Sequence, residues 1–250
     1  MKISHYLRVC PSVLFVATVL WACGDKKSGD TDSKSQTPAA REHAAFRESL
    51  RDSAAYYADR ADLLKAQVDT LNSRFETLNA QLEIDDREEY VEIYRVAKGW
   101  KGYDTMAGTG IIARLLENGT VEVVASSSAG PFLYVSLSAG SKSISTSPVP
   151  EGGGLNYTTG GISRVTFIGP DALALCRFAD EHKGETLTLT YKGAKDYSVK
   201  LTGKQAEMLS LLGEVTVLKN ELDQLNKDYM VAYNKQILYE NEVNKNQSAR

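Results

Sequence analysis

Side chains able to do covalent chemistry are few in this chain, and they are widely spaced. Of three histidines and three cysteines in 250 residues, the nearest approach to a nucleophile and base is Cys176 with His182. Both fall on a helix predicted from Gly169-Pro170-Asp171 to about His182 and closed by Gly184, with proline in its first turn and glycine past its end. Six residues apart, they lie about 240° round the helix axis, which rules out a hydrogen-bonded pair. Beside Leu173, Leu175, Phe178 and Ala179, Cys176 reads as a small buried hydrophobe. No histidine, cysteine and carboxylate set has metal-ligand spacing. Asp25, Asp30 and Asp32 lack the Asp-x-Asp-x-Asp-Gly loop that calcium uses. Gly152 to Gly154 and Gly160-Gly161 are followed by neither Lys-Ser/Thr nor a helix start, so they read as loop glycines and not a phosphate cradle. The serines of 126–147 include no Gly-x-Ser-x-Gly. The expectation is a non-enzyme with no catalytic residue, metal or cofactor. One aromatic group stands out: Trp100 with Tyr103, around Gly99 and Gly102. Aromatics on such a loop can stack on a glycan or anchor a protein partner, although a cap over the core is the commoner use.

The elements that would position these residues are dominated by two heptad stretches. Leu50, Ala54, Tyr57, Ala61, Leu64, Val68, Leu71, Phe75, Leu78 and Leu82 recur at alternating steps of three and four. So do Met208, Leu211, Val215, Leu218, Leu222, Leu225, Tyr229, Ala232, Gln236, Tyr239 and Val243. A 3.5-residue repeat of this length predicts helices that coil around a partner. Antiparallel pairing aligns the two seams in one register, with Phe75 level with Leu218 and Ala54 with Tyr239. Thr37-Pro38 supplies an N-cap and first turn for the first helix. Thr202-Gly203-Lys204-Gln205 supplies a capping box for the second, whose Gly213 is expected to cost about 1 kcal/mol relative to alanine.

Between the helices the composition turns to glycine and to β-branched and aromatic residues. Strands are expected at 89–96, 110–116, 120–126, 132–137 and 164–168, with Leu133, Val135 and Leu137 on one face. Asn118-Gly119 marks a tight hairpin, and Thr186–Tyr191 with Tyr197–Thr202 forms another. Residues 138–162 read as a long exposed loop. The fold class expected is α+β: a long antiparallel coiled-coil hairpin carrying an inserted antiparallel β-rich head with one short helix. Its divisions are a leader 1–22, a flexible tether 23–37, a first coil helix 38–85, the head 88–203 and a second coil helix 204–245.

The N-terminus adds an address. Lys2 and Arg8 precede an apolar run from Val9 to Leu20, a length suited to a secretory leader and too short to span a bilayer. It closes in Leu20-Trp21-Ala22-Cys23-Gly24, and Asp25 to Gln36 then contain no apolar residue, as a solvated tether would. This N-terminus resembles the lipobox of bacterial lipoproteins, although Trp21 stands where that family usually has a small or aliphatic residue. The resemblance implies cleavage before Cys23 and a diacylglycerol on its thiol. It further implies a membrane partner through that lipid and a place in the bacterial cell envelope, such as the outer membrane. Cys10 leaves with the leader, so Cys176 has no disulfide partner within the chain. The formal charge of −3 becomes −5 once Lys2 and Arg8 are lost, and with no basic cluster this argues against nucleic acid as a partner.

Two roles fit these readings. One is a non-catalytic binding or structural lipoprotein that displays the head to a protein or glycan. The other is an oligomeric holdase, since the order helix, β insert, helix resembles prefoldin in topology. A hydrolase using His182 is the remaining and weakest alternative, and the sequence leaves the oligomeric state open.

Overall fold

The computed structural model describes residues 37–85, 93–100 and 108–248. The chain divides into two compact units, Met1–His43 and Ala44–Arg250. Of the first, the described part is the opening of helix α1 (Pro38–Asn79). Thr37 caps it, accepting from Ala40 N–H through Oγ1 at 3.4 Å and from Arg41 N–H through its carbonyl at 3.2 Å. The second unit is α+β, mixed helix and antiparallel sheet. After α1 come β1 (Leu82–Asp85), β2 (Tyr94–Ala97), β3 (Gly110–Leu116), β4 (Val121–Ser127), β5 (Phe132–Ala139), β6 (Lys142–Ser145), β7 (Asn156–Thr159) and β8 (Ile162–Ile168). Then follow α2 (Pro170–Glu181), β9 (Leu187–Gly193), β10 (Tyr197–Lys200) and α3 (Gly203–Ser248). One sheet runs β1-β2-β3-β4-β8-β7, the other β10-β9-β5-β6, and every pairing is antiparallel.

The first helix stops short of its expected end at 85. Leu82 leaves the heptad and pairs with Ala97 as the start of β1. There it is buried with the sheet core, while Ile84, two residues on, is exposed. A strand gives Leu82 both a backbone partner and a core, whereas one more helical turn gives it only the seam.

Turn chemistry sets the hairpins. At Asn118-Gly119 the glycine has φ 85 and the asparagine Oδ1 accepts from Thr120 N–H at 2.8 Å, closing β3 onto β4. The expected long loop at 138–162 instead holds β6 and β7. Gly160 and Gly161, with φ of 60 and 76, form the two-residue turn from β7 to β8. Positive φ at both centres matches the natural strand twist. Leu133 also departs from expectation: a register irregularity between Phe132 and Tyr134 turns it outward, so Phe132, Val135 and Leu137 make the buried row of β5.

Every residue of β3 and β4 except Arg114 is buried, so these strands are covered on both faces. By contrast, β9 alternates buried Leu187, Leu189 and Tyr191 with half-exposed Thr188, Thr190 and Lys192, as a sheet with one wet face does. Residues of both sheets join α2 and the first turns of α3 in one hydrophobic core. The start of α3 is therefore part of the head. Leu209 and Leu212, which lie off the heptad, are fully buried beside Met208 and Val215. The capping box at Thr202 and Gln205 forms as its spacing predicts, with Gln205 N–H donating to Thr202 Oγ1 at 3.2 Å and Thr202 N–H to Gln205 Oε1 at 3.1 Å. Gly213 marks where α3 crosses α2: a Cβ there would lie 2.6 Å from the Cys176 carbonyl oxygen. Close to this crossing, Ser210 Oγ donates to Asp180 Oδ1 at 2.8 Å.

Beyond that crossing, contacts between α1 and α3 climb one helix as they descend the other. Arg74 pairs with Glu214 at 2.6 Å. Ala61, Leu64 and Ala232 form a separate small core with Tyr57, Leu225 and Tyr229 against it. Farther on, the rings of Tyr57 and Tyr239 stack at 5.6 Å, and Lys235 Nζ reaches Tyr57 OH at 3.2 Å. Among the described residues no helix is long and apolar enough to cross a membrane.

Candidate functional site

One concavity of the head opens where the end of α1, the turn after β2 and the start of α3 meet. Each wall follows from local chain chemistry. Past Asn79, Gln81 N–H donates to the Leu78 carbonyl at 2.9 Å, and the Gln81 carbonyl accepts Lys98 N–H at 2.9 Å. That bond joins the end of α1 to the turn after β2. The turn itself needs Gly99, at φ 83, whose N–H donates to Glu83 Oε1 at 2.8 Å. Trp100 N–H then bonds back to the Ala97 carbonyl at 3.0 Å. The resulting cavity of about 680 Å³ has an apolar side formed by Leu78, Ala97, Trp100, Met208 and Leu211, with Lys98, Lys183, Lys204, Glu207 and Glu214 around it. This volume lies within the range of small-ligand sites. Of its acids, Glu214 is engaged by Arg74. Its described lining brings three ammonium side chains to an apolar wall and includes no cysteine, histidine, serine or threonine.

Trp100, expected on a loop with Tyr103 as a possible partner contact, is only 8 % exposed and belongs to the hydrophobic core. It lines this cavity and is folded in against the core by the glycine turn. Tyr103 and the lipidation position Cys23 lie outside the described residues.

Cys176 is fully buried on α2, and burial pushes its thiol well above the ordinary range. A thiol held in that form is a poor nucleophile. His182, one residue past α2, is 5 % exposed; its Nδ1 lies 2.8 Å from Glu185 Oε1 and its ring packs 4.4 Å from that of Phe178. Among the described residues no group of three or more histidine, cysteine or acidic side chains could hold a metal ion.

Two polar clusters escaped sequence reasoning. Arg114 Nε donates to Glu122 Oε2 at 2.8 Å across β3 and β4, its guanidinium 3.9 Å over the Tyr94 ring. Asn156, buried in β7, donates through Nδ2 to the carbonyls of Val149 at 2.6 Å and Phe132 at 3.2 Å, tying one sheet to the other. For the first, opposite charges in alternating strands on either side of Asn-Gly were the available signal. The second had none, since its partners are backbone carbonyls. The chain matches no known protein family, no curated protein and no solved structure.

Proposed function

We propose that this protein is a bacterial envelope lipoprotein that presents a β-rich head to a protein or glycan partner and is not an enzyme. In this reading Cys23 carries the lipid and residues 25–36 are the tether. Helices α1 and α3 pair beyond the head as an antiparallel coiled-coil stalk, the spacer between anchor and head. The observation that carries the reading is the sequence Leu20-Trp21-Ala22-Cys23-Gly24, closing an apolar run and opening a stretch without one apolar residue. The stalk is supported by one row along α3 beyond the head, buried at Leu222 and Ala232 and half-buried at Leu225, Tyr229, Gln236 and Tyr239, while the positions flanking it are exposed. Arg74 meets Glu214 at one end of the inter-helix contact and Tyr57 meets Tyr239 at the other, in antiparallel order. A binding role fits the inert setting of Cys176 and the cavity beside Trp100, whose lining suits retention over bond making.

Fractionation of bacterial cells producing the full chain tests the anchor. The native sequence should sediment with membranes and partition into detergent, and Cys23→Ala should move it to the soluble fraction. Membrane attachment that survives Cys23→Ala would refute the lipid anchor.

A further inference from the structure

The cavity beside Trp100 gathers more positive charge than it neutralises. Lys98 comes from the turn after β2, Lys183 from the turn after α2 and Lys204 from the first turn of α3, and all three line the same space of about 680 Å³. Among the described residues none of their ammonium groups has an ion-pair or hydrogen-bond partner. Elsewhere on the surface Lys65, Lys192, Lys219 and Lys245 each hold a carboxylate. Here Glu214 is taken by Arg74, so three ammonium groups face one carboxylate, Glu207, in a chain whose formal net charge is −3. A cleft lined by one sign of charge beside low-dielectric walls concentrates ions of the opposite sign. The wall beside these lysines is apolar and fixed. Trp100 and Met208 are buried in the core, and Met208 Sδ accepts from Ala113 N–H at 3.4 Å. Leu78 and Leu211 pack against the same core. Side chains already held in place spare a ligand the cost of ordering them.

We propose that this cavity binds a small amphiphilic anion, its apolar body against Leu78, Trp100, Met208 and Leu211 and its anionic head among Lys98, Lys183 and Lys204. The proposal deepens the binding role above and holds with or without a lipid on Cys23. Charge and wall together select this class of ligand. A bare anion such as inorganic phosphate would leave the apolar wall wet, and it is far smaller than a cavity of about 680 Å³. A neutral apolar compound would cover the wall and leave three ammonium groups without a counter-charge. A neutral glycan would answer neither feature. Lysines act as point charges on flexible stems, so they ask for negative charge and not for the planar shape that an arginine fork would match. Glu207 lines the same cavity and repels such a head, which gives the proposal a second, opposite handle.

Quenching of Trp100 by brominated compounds, in the full chain held in neutral detergent micelles, tests this site. The sequence has two tryptophans, Trp21 and Trp100, so Trp21→Phe leaves Trp100 as the single reporter. Bromine quenches a tryptophan that it touches. At about pH 8, where the acid is ionised, ω-bromohexanoate should quench saturably and at lower concentration than ω-bromohexanol, its uncharged analogue. Lys98→Gln, Lys183→Gln and Lys204→Gln together should raise the concentration of acid required on the order of tenfold and leave that of the alcohol unchanged. Glu207→Gln should lower it for the acid alone, by roughly 1.5- to 5-fold. All four side chains are exposed, so these substitutions leave the core intact. Partition into micelles is common to every variant and cancels in the ratios. Absence of saturable quenching by the acid overturns the proposal, and so does quenching by the acid that the lysine substitutions leave unchanged. Fractionation of the same Trp21→Phe chain reads the lipid anchor separately, so failure of one reading is distinct from failure of the other.

Discussion

Gly213 shows how one missing side chain can decide a packing. In an exposed helix a glycine costs about 1 kcal/mol against alanine, and Gly213→Ala would be a simple gain. Here the new methyl would sit 2.6 Å from the Cys176 carbonyl oxygen and 2.8 Å from its carbon. Those are backbone atoms that can yield only if α2 shifts. Gly213→Ala should therefore destabilise the protein by about 1–3 kcal/mol, the usual range for overpacking, read as a lowered midpoint in urea. An unchanged or higher midpoint would mean that the helices do not cross there. Across the same contact, Cys176 makes a prediction about pH. Its thiol, ordinarily near 9.0, is raised by burial, so the folded state keeps a proton that the unfolded chain gives up. Its contribution to stability is complete below about pH 9 and falls as pH rises above it. Tyr191, raised from 10.0 mainly by burial, adds the same sign about one unit higher. Cys176→Ala should flatten the decline in melting temperature between pH 8.5 and 10, in part only, because Tyr191 keeps the remainder. An equal slope in both proteins would count against a buried thiol.

Among the elements, the long helices and the local hairpins were the most legible, because their signals are periodic or confined to a few residues. Heptads located both helices, and Asn118-Gly119 located the central hairpin. Gly160-Gly161 between Tyr157-Thr158-Thr159 and Ile162 carried an equally good turn signal, but the surrounding serines and glycines masked strands of only four residues. The end of α1 at Asn79 was not legible, since Leu82 satisfies the heptad and the strand alike; a tertiary partner, β2, decides the competition. The candidate site was legible only in part. Trp100 stood out between its glycines, yet the cavity beside it draws on α1, β2 and α3, which meet only after folding. The pairing of the helices makes its own prediction. Ala61 and Ala232 face one another's cluster at 3 % and 1 % exposure. Ala61→Asp with Ala232→Asp would put two like charges in that small core, each costing several kcal/mol unless it escapes to water. The variant should lose helical circular dichroism at 222 nm and keep the near-ultraviolet signal of the head aromatics. Unchanged helicity would argue that the two helices are not held by this seam.

At the scale of the molecule, α3 is a 46-residue helix that begins inside the head's core and ends alongside α1. Asn79 and Gly203 are separated by about 120 residues, and a free chain closing a loop of that length loses about 4 kcal/mol of entropy. The two sheets and α2 absorb this cost as they fold, because they fix the end of α1 against the start of α3 through Lys98, Gln81 and the first turns of α3. Contact between α1 and α3, a concentration-dependent encounter for two separate peptides, becomes an intramolecular step between helices already held at one end. Beyond the head, the small contact of Ala61, Leu64 and Ala232 then forms between helices whose near ends are already fixed.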